Sequence, residues 1–146
     1  MATVTIKNID RLTQKLTKMA SMELNKKMSE AVTLVHGQAK ELAPVDTGNL
    51  AGSIRMKIKR KSNEIEGRVY TNVQYAPYVE FGTGIAGNGS YPYDIEGLDL
   101  AYHEEWAGMP AHSYMYPALK MHEKYILKLF EKGVKDNLTK ISKGGR

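Results

Sequence analysis

Cysteine is absent from this chain of 146 residues. With it go disulfides, zinc–thiolate centres and cysteine nucleophiles, and synthesis in a reducing compartment is permitted. Long apolar runs are absent too: nothing approaches the roughly 20 residues that span a bilayer. The first residues, MATVTIKNIDRLTQ, turn polar early and lack the apolar centre of a signal peptide. A soluble, unsecreted protein with no membrane partner is therefore expected. Also missing are a Walker A loop, a G-x-S-x-G elbow, a dinucleotide fingerprint and H-E-x-x-H.

Lysine and arginine number 21 against 16 acids, a formal charge of +5, which raises nucleic acid as a partner. The basic residues are spread through Lys15, Lys18, Lys26, Lys27 and positions 55–61, 120–135 and 140–146, with acids interleaved in most of these stretches. A solvated surface with a mild excess of charge is the plainer reading.

After a short strand at residues 2–7, apolar residues recur at Ile9, Leu12, Leu16, Met19, Leu24, Met28, Val32, Val35, Ala39 and Leu42. Spacings of mostly three or four mark one face of a long helix. Asn8 suits its N-cap, and Pro44 ends it by biasing Ala43 out of the α region; so long a helix either bends or breaks at Gly37 or projects toward a neighbouring subunit. Residues 43–50, A-P-V-D-T-G-N-L, read as an ordered turn. Period two follows: Ile54, Met56 and Ile58 alternate with Arg55, Lys57 and Lys59, and Ile65, Val69, Thr71 and Val73 alternate with Glu64, Glu66, Arg68 and Tyr70. With Ser62-Asn63 as a two-residue hairpin turn, Lys61 faces Glu64, Lys59 faces Glu66 and Met56 faces Val69. The basic stripe is then largely neutralised by its partner strand, with Arg55 and Lys57 left beside Tyr70 and Arg68.

Residues 75–84 crowd Tyr75, Tyr78 and Phe81 with a proline and two glycines. A glycine- and tyrosine-rich loop at about 82–100 is long enough for a functional excursion or local disorder, and residues 98–106 suit another short strand. Pro117 belongs in the first turn of a C-terminal helix whose stripe runs Leu119, Ile126, Phe130, Val134, Leu138 and Ile141. No repeat or boundary interrupts the chain, so one domain is expected over residues 1–146.

Candidate chemistry is thin. Asp46-Thr47-Gly48 spells the triplet of aspartic proteases, but it follows a helix and Pro44 where those enzymes have strands, so a structural turn is expected. His36, His103, His112 and His122 have no metal-ligand spacing. No cofactor is expected. Tyr75, Tyr78, Phe81, Tyr91, Tyr93, Trp106, Tyr114 and Tyr116 come with Pro, Gly and Glu, whereas base-stacking proteins interleave aromatics with Lys and Arg. Subunit contact suits them better.

Three segments in order, A-P-V-D-T-G-N-L with Ser53-Ile54, Y-A-P-Y-V-E-F-G-T at 75–83, and Met109-Pro110-Ala111 leading to Tyr116-Pro117-Ala118-Leu119, resemble the small neck and tail-completion proteins of long-tailed bacteriophages. The resemblance covers residues 9–138; residues 85–106 match none of its patterns. It implies an α+β fold, a long N-terminal helix and a C-terminal helix packed on a small, mostly antiparallel sheet. It also implies a non-enzymatic virion protein at the head–tail junction, assembled in the host cytoplasm as a ring, commonly six-fold. Its partners would be further copies and neighbouring neck, connector, tail-terminator or tail-tube proteins, with genome DNA passing nearby but not specifically bound. Pro44, Asp46, Thr47 and Gly48 would fix the turn. Tyr75, Tyr78, Glu80, Phe81, Thr83, Tyr116 and Pro117 would lie near a subunit boundary, where a buried Glu80 would take a neighbour's Lys or Arg; the alternative for that segment has Phe81 in the core and Glu80 solvated. The alternative is a nucleic-acid-binding module using the basic surface.

Overall fold

The computed structural model describes residues 2–7, 14–45, 48–61 and 64–144. The expected N-cap Asn8 and the turn residues Asp46, Thr47, Ser62 and Asn63 lie outside them. The elements are β1 (Ala2–Lys7), α1 (Gln14–Leu42), α2 (Asn49–Ser53), β2 (Arg55–Arg60), β3 (Glu64–Tyr70), α3 (Ala76–Phe81), α4 (Gly84–Gly87) and α5 (Met115–Gly144). The architecture is α+β, with two long helices and an antiparallel sheet of order β1-β3-β2.

The α1 stripe is buried at Leu24, Met28, Val32, Val35 and Ala39, as its spacing required. The helix runs unbroken through Gly37, so of the two alternatives the break does not occur. A helical glycine costs about 1 kcal/mol relative to alanine, and the buried residues on either side hold the helix together. Below α1 lies β3, whose buried positions are Ile65, Gly67 and Val69. A Cβ at Gly67 would overlap Val32 Cγ2 and Met28 Sδ, so glycine at this point lets helix and sheet approach.

The hairpin register is the expected one, with Met56 opposite Val69 and Lys59 opposite Glu66. Its consequences differ. All of β2 is exposed, Met56 and Ile58 included, because α1 lies over β3 and leaves β2 at the sheet's edge. Ile54, just before the strand, is buried instead. Nor does Glu66 neutralise Lys59: its ion pair, at 2.6 Å, goes to Arg68 on its own strand.

Helix α5 returns antiparallel to α1, with Tyr125 Oη donating to Glu30 and His122 Nε2 lying 3.2 Å from Gln38 Oε1. Ala118, Ile126, Leu129 and Phe130 are buried, while Val134 and Leu138 of the expected stripe are exposed. Strict four-residue steps advance about 40° each around a helix, so a stripe read as 126, 130, 134 and 138 rotates away from the core. The side chain of Ile141 lies outside the described residues.

Residues 98–106 form no strand, contrary to expectation. Backbone bonds close the loop onto a turn instead of a sheet: Thr83 and Met109 exchange N–H and C=O at 2.8 and 2.9 Å, and Ile85 and Ala86 donate to Trp106 and Ala107.

Candidate interaction surface

The three segments singled out in the sequence meet at one place. After Pro44 the chain turns into α2 through Gly48, whose φ of 65° is the left-handed conformation glycine adopts without steric cost. Helix α3 follows Tyr75, with Pro77 in its first turn. The third segment is pinned across both: His112 donates its backbone N–H to Val79 at 2.8 Å, and its Nε2 lies 3.3 Å from the Leu42 carbonyl. Between them opens a largely apolar cleft of about 550 Å³, lined by Pro44, Asn49 and Leu50, by Tyr75 and Val79, and by Met109 through His112. Tyr75 and Met109 are exposed, as are the adjoining Val45, at 83%, and Tyr78, at 59%. Exposed apolar groups gathered around one cleft mark an interaction surface better than the same groups scattered singly.

Behind this surface, Glu80 is 5% exposed. Its carboxylate accepts the backbone N–H groups of Tyr114, Met115 and Tyr116 at 2.8, 2.9 and 3.1 Å. These are N–H groups at the start of α5, which a helix cannot satisfy internally and which attract negative charge. The partner of buried Glu80 is thus the chain's own helix end and not, as expected, a neighbouring chain's Lys or Arg.

Aromatic rings extend the same joint. Phe81, Tyr91, Tyr93 and Tyr116 form a row with centroid spacings of 5.0, 5.4 and 4.8 Å in edge or tilted contacts. Tyr102 donates its hydroxyl to the Phe81 carbonyl. Burial, reinforced by the Glu80 charge, pushes the Tyr91 and Tyr114 hydroxyls above the usual tyrosine range. The buried Tyr91 hydroxyl has no hydrogen-bond partner among the described residues. Close backbone packing explains the glycines: a Cβ at Gly82 would lie 2.7 Å from the Ala111 nitrogen, one at Gly84 2.7 Å from the Trp106 oxygen, and one at Gly108 would overlap Thr83.

The candidate residues therefore divide. Pro44 and Tyr75 line the apolar cleft and Tyr78 flanks it. Glu80, Phe81 and Tyr116 line a second cleft of about 510 Å³ on the other side of α3, together with Tyr91 and Leu119. Thr83 carries the loop bridge, and Pro117 sits half-buried in the first turn of α5.

One signal in the sequence passed unread. No lysine or arginine stands between Arg68 and Lys120, whereas Glu80, Asp94, Glu96, Asp99, Glu104 and Glu105 all do. The structure gathers all but Glu80 as exposed side chains on the closed loop, beside exposed Leu98 and Trp106. Arg55, Lys57, Lys59, Arg60 and Lys61 are exposed along the opposite stretch of the chain, on β2 and just after it.

His36 Nε2 lies 2.9 Å from the Ile54 carbonyl, so His36, His112 and His122 each spend a ring nitrogen on a bond within the fold. Among the described residues no group of three or more His, Asp or Glu gathers to hold a metal, and no helix is long and apolar enough to cross a membrane. In comparisons with known proteins, residues 6–82 match the model of the HK97-gp10-like family, described as a tail component of bacteriophage HK97-gp10 type. No curated protein and no solved structure matches.

Proposed function

Because the chain belongs to the HK97-gp10-like family of bacteriophage tail components, we propose that it is a structural protein of the head–tail junction. Copies close into a ring, with six the expected number, that completes the tail or links it to the head-side connector. Its action is geometric: one face of the ring fits the tail, the other the head, and ring closure supplies stability that a lone subunit lacks. The observation that carries the reading is the convergence of all three recognisable segments on one apolar cleft, flanked by exposed Val45, Tyr75, Tyr78 and Met109. A protein interface is the natural use of such a surface. In this reading Tyr75 and Tyr78 touch the neighbour, while Glu80, Phe81, Thr83, Tyr116 and Pro117 hold the surface in shape from behind.

The test is depletion of the protein during phage growth. Particles should accumulate as separate heads and tails, or as tails of uncontrolled length, and wild-type protein supplied in trans should restore joined virions. Normal virions lacking this protein would contradict the reading. The nucleic-acid alternative rests on the exposed basic strand. It requires DNA retention that falls steeply as salt rises, because binding releases counterions.

A further inference from the structure

Resting on the ring reading above, we propose that neighbouring copies join head to tail, the acidic loop of one copy (residues 94–105) seating on the exposed face of edge strand β2 of the next. The occupant of β2 is thus a second copy of this chain.

The strand offers Lys57 and Lys59 on one face, continued by Lys61, with Arg60 alternating to the other, all exposed and without an ion pair among the described residues. The carboxylate nearest in register to Lys59, that of Glu66, is held by Arg68. Met56 and Ile58, exposed as well, alternate with these lysines and lie on the other face of the strand, on the side of Val69, so they stand outside this contact. The loop offers the complement: Asp94, Glu96, Asp99, Glu104 and Glu105, exposed and likewise without an ion pair among the described residues. Trp106, 55% exposed, stands beside them as an aromatic anchor.

The two patches do not pair within one chain among the described residues. The loop is fastened to α3 and, through His112, to the C-terminal end of α1. The hairpin tip at Lys61, opposite Glu64, lies the length of β3 from Tyr70, about 20 Å, while Lys59 and Lys57 stand opposite Glu66 and Arg68 along the way. Opposite charge at separated places on one molecule favours a heterologous contact, which closes into a ring when the rotation allows. A two-fold contact through either patch would set like charges against each other. Lysines on an edge also resist strand-to-strand pairing, so the contact runs through side chains.

The experiment uses the full-length protein and two charge-reversed variants, Lys57→Glu/Lys59→Glu on the strand and Glu104→Lys/Glu105→Lys on the loop. Native mass spectrometry and light scattering would follow assembly at about 50 and 500 mM salt, with circular dichroism confirming folding. Wild type should assemble and weaken with salt, and each variant alone should lose at least about tenfold in affinity. The two variants mixed should assemble again, because each then meets an opposite charge on both sides; that recovery cannot come from a folding defect. If wild type assembles and the reversals leave it unchanged, the interface falls and the ring stands. Wild type monomeric under every condition removes the ring reading and this interface with it. A strand variant that loses DNA retention but keeps its assembly overturns the proposal in favour of the nucleic-acid role.

Discussion

The carboxylate of Glu80 accepts three backbone N–H groups at the head of α5, so a single side chain ties that helix to α3. Glu80→Ala leaves buried donors unpaired and should cost about 2–4 kcal/mol in urea unfolding. Glu80→Gln keeps one acceptor but turns an NH₂ toward other donors, and should fall in between. Tyr91 carries the opposite defect, a buried hydroxyl without a partner among the described residues, and Tyr91→Phe should gain about 1 kcal/mol. Tyr91 and Tyr114 also set an alkaline limit. Both hydroxyls are held protonated in the fold by burial, whereas in the unfolded chain they ionise at about pH 10. The unfolded state therefore binds fewer protons above that pH, and stability, fully present below it, falls as pH rises further. Thermal melts from pH 8 to 11 should show the loss, reduced in Tyr91→Phe.

Helix α1, the hairpin register and α5 were legible because burial imposes a period on the sequence, and the structure buries Met28, Val32, Val35, Ile65 and Val69 as the period requires. Periodicity says nothing about which strand becomes an edge, and Met56 and Ile58, apolar in an alternating strand, stay exposed. It also cannot show backbone-to-backbone packing, which leaves no side-chain pattern. The loop closed by Thr83 and Met109 depends on Gly82, Gly84 and Gly108 instead. Gly108 has a φ of 65°, and its Cβ would overlap Thr83, so Gly108→Ala should open the bridge. Hydrogen exchange should then speed up at the amides of Thr83 and Met109, with little change in α1. At the α1–β3 crossing Gly67→Ala overfills the space beside Met28 and Val32 and should cost about 1–3 kcal/mol.

Over the whole molecule, the motif segments at 43–50, 75–83 and 109–119 were readable as a set, but their meeting at one cleft is a tertiary fact that no segment states alone. Two features of the site escaped a residue-by-residue reading. The partner of Glu80 is a helix end thirty-odd positions away, marked by no special residue type. The separation of charge appears only as the missing Lys and Arg between Arg68 and Lys120, hidden by a net charge of +5. That separation and the exposed apolar groups at the cleft are the two features on which the proposed assembly rests. The most direct measurement is the mass of the purified full-length protein by native mass spectrometry over a wide concentration range. A closed ring should give one discrete multiple of the chain, six-fold, that persists on dilution until it returns to monomer without a ladder of intermediates; a monomer at every concentration would contradict the ring.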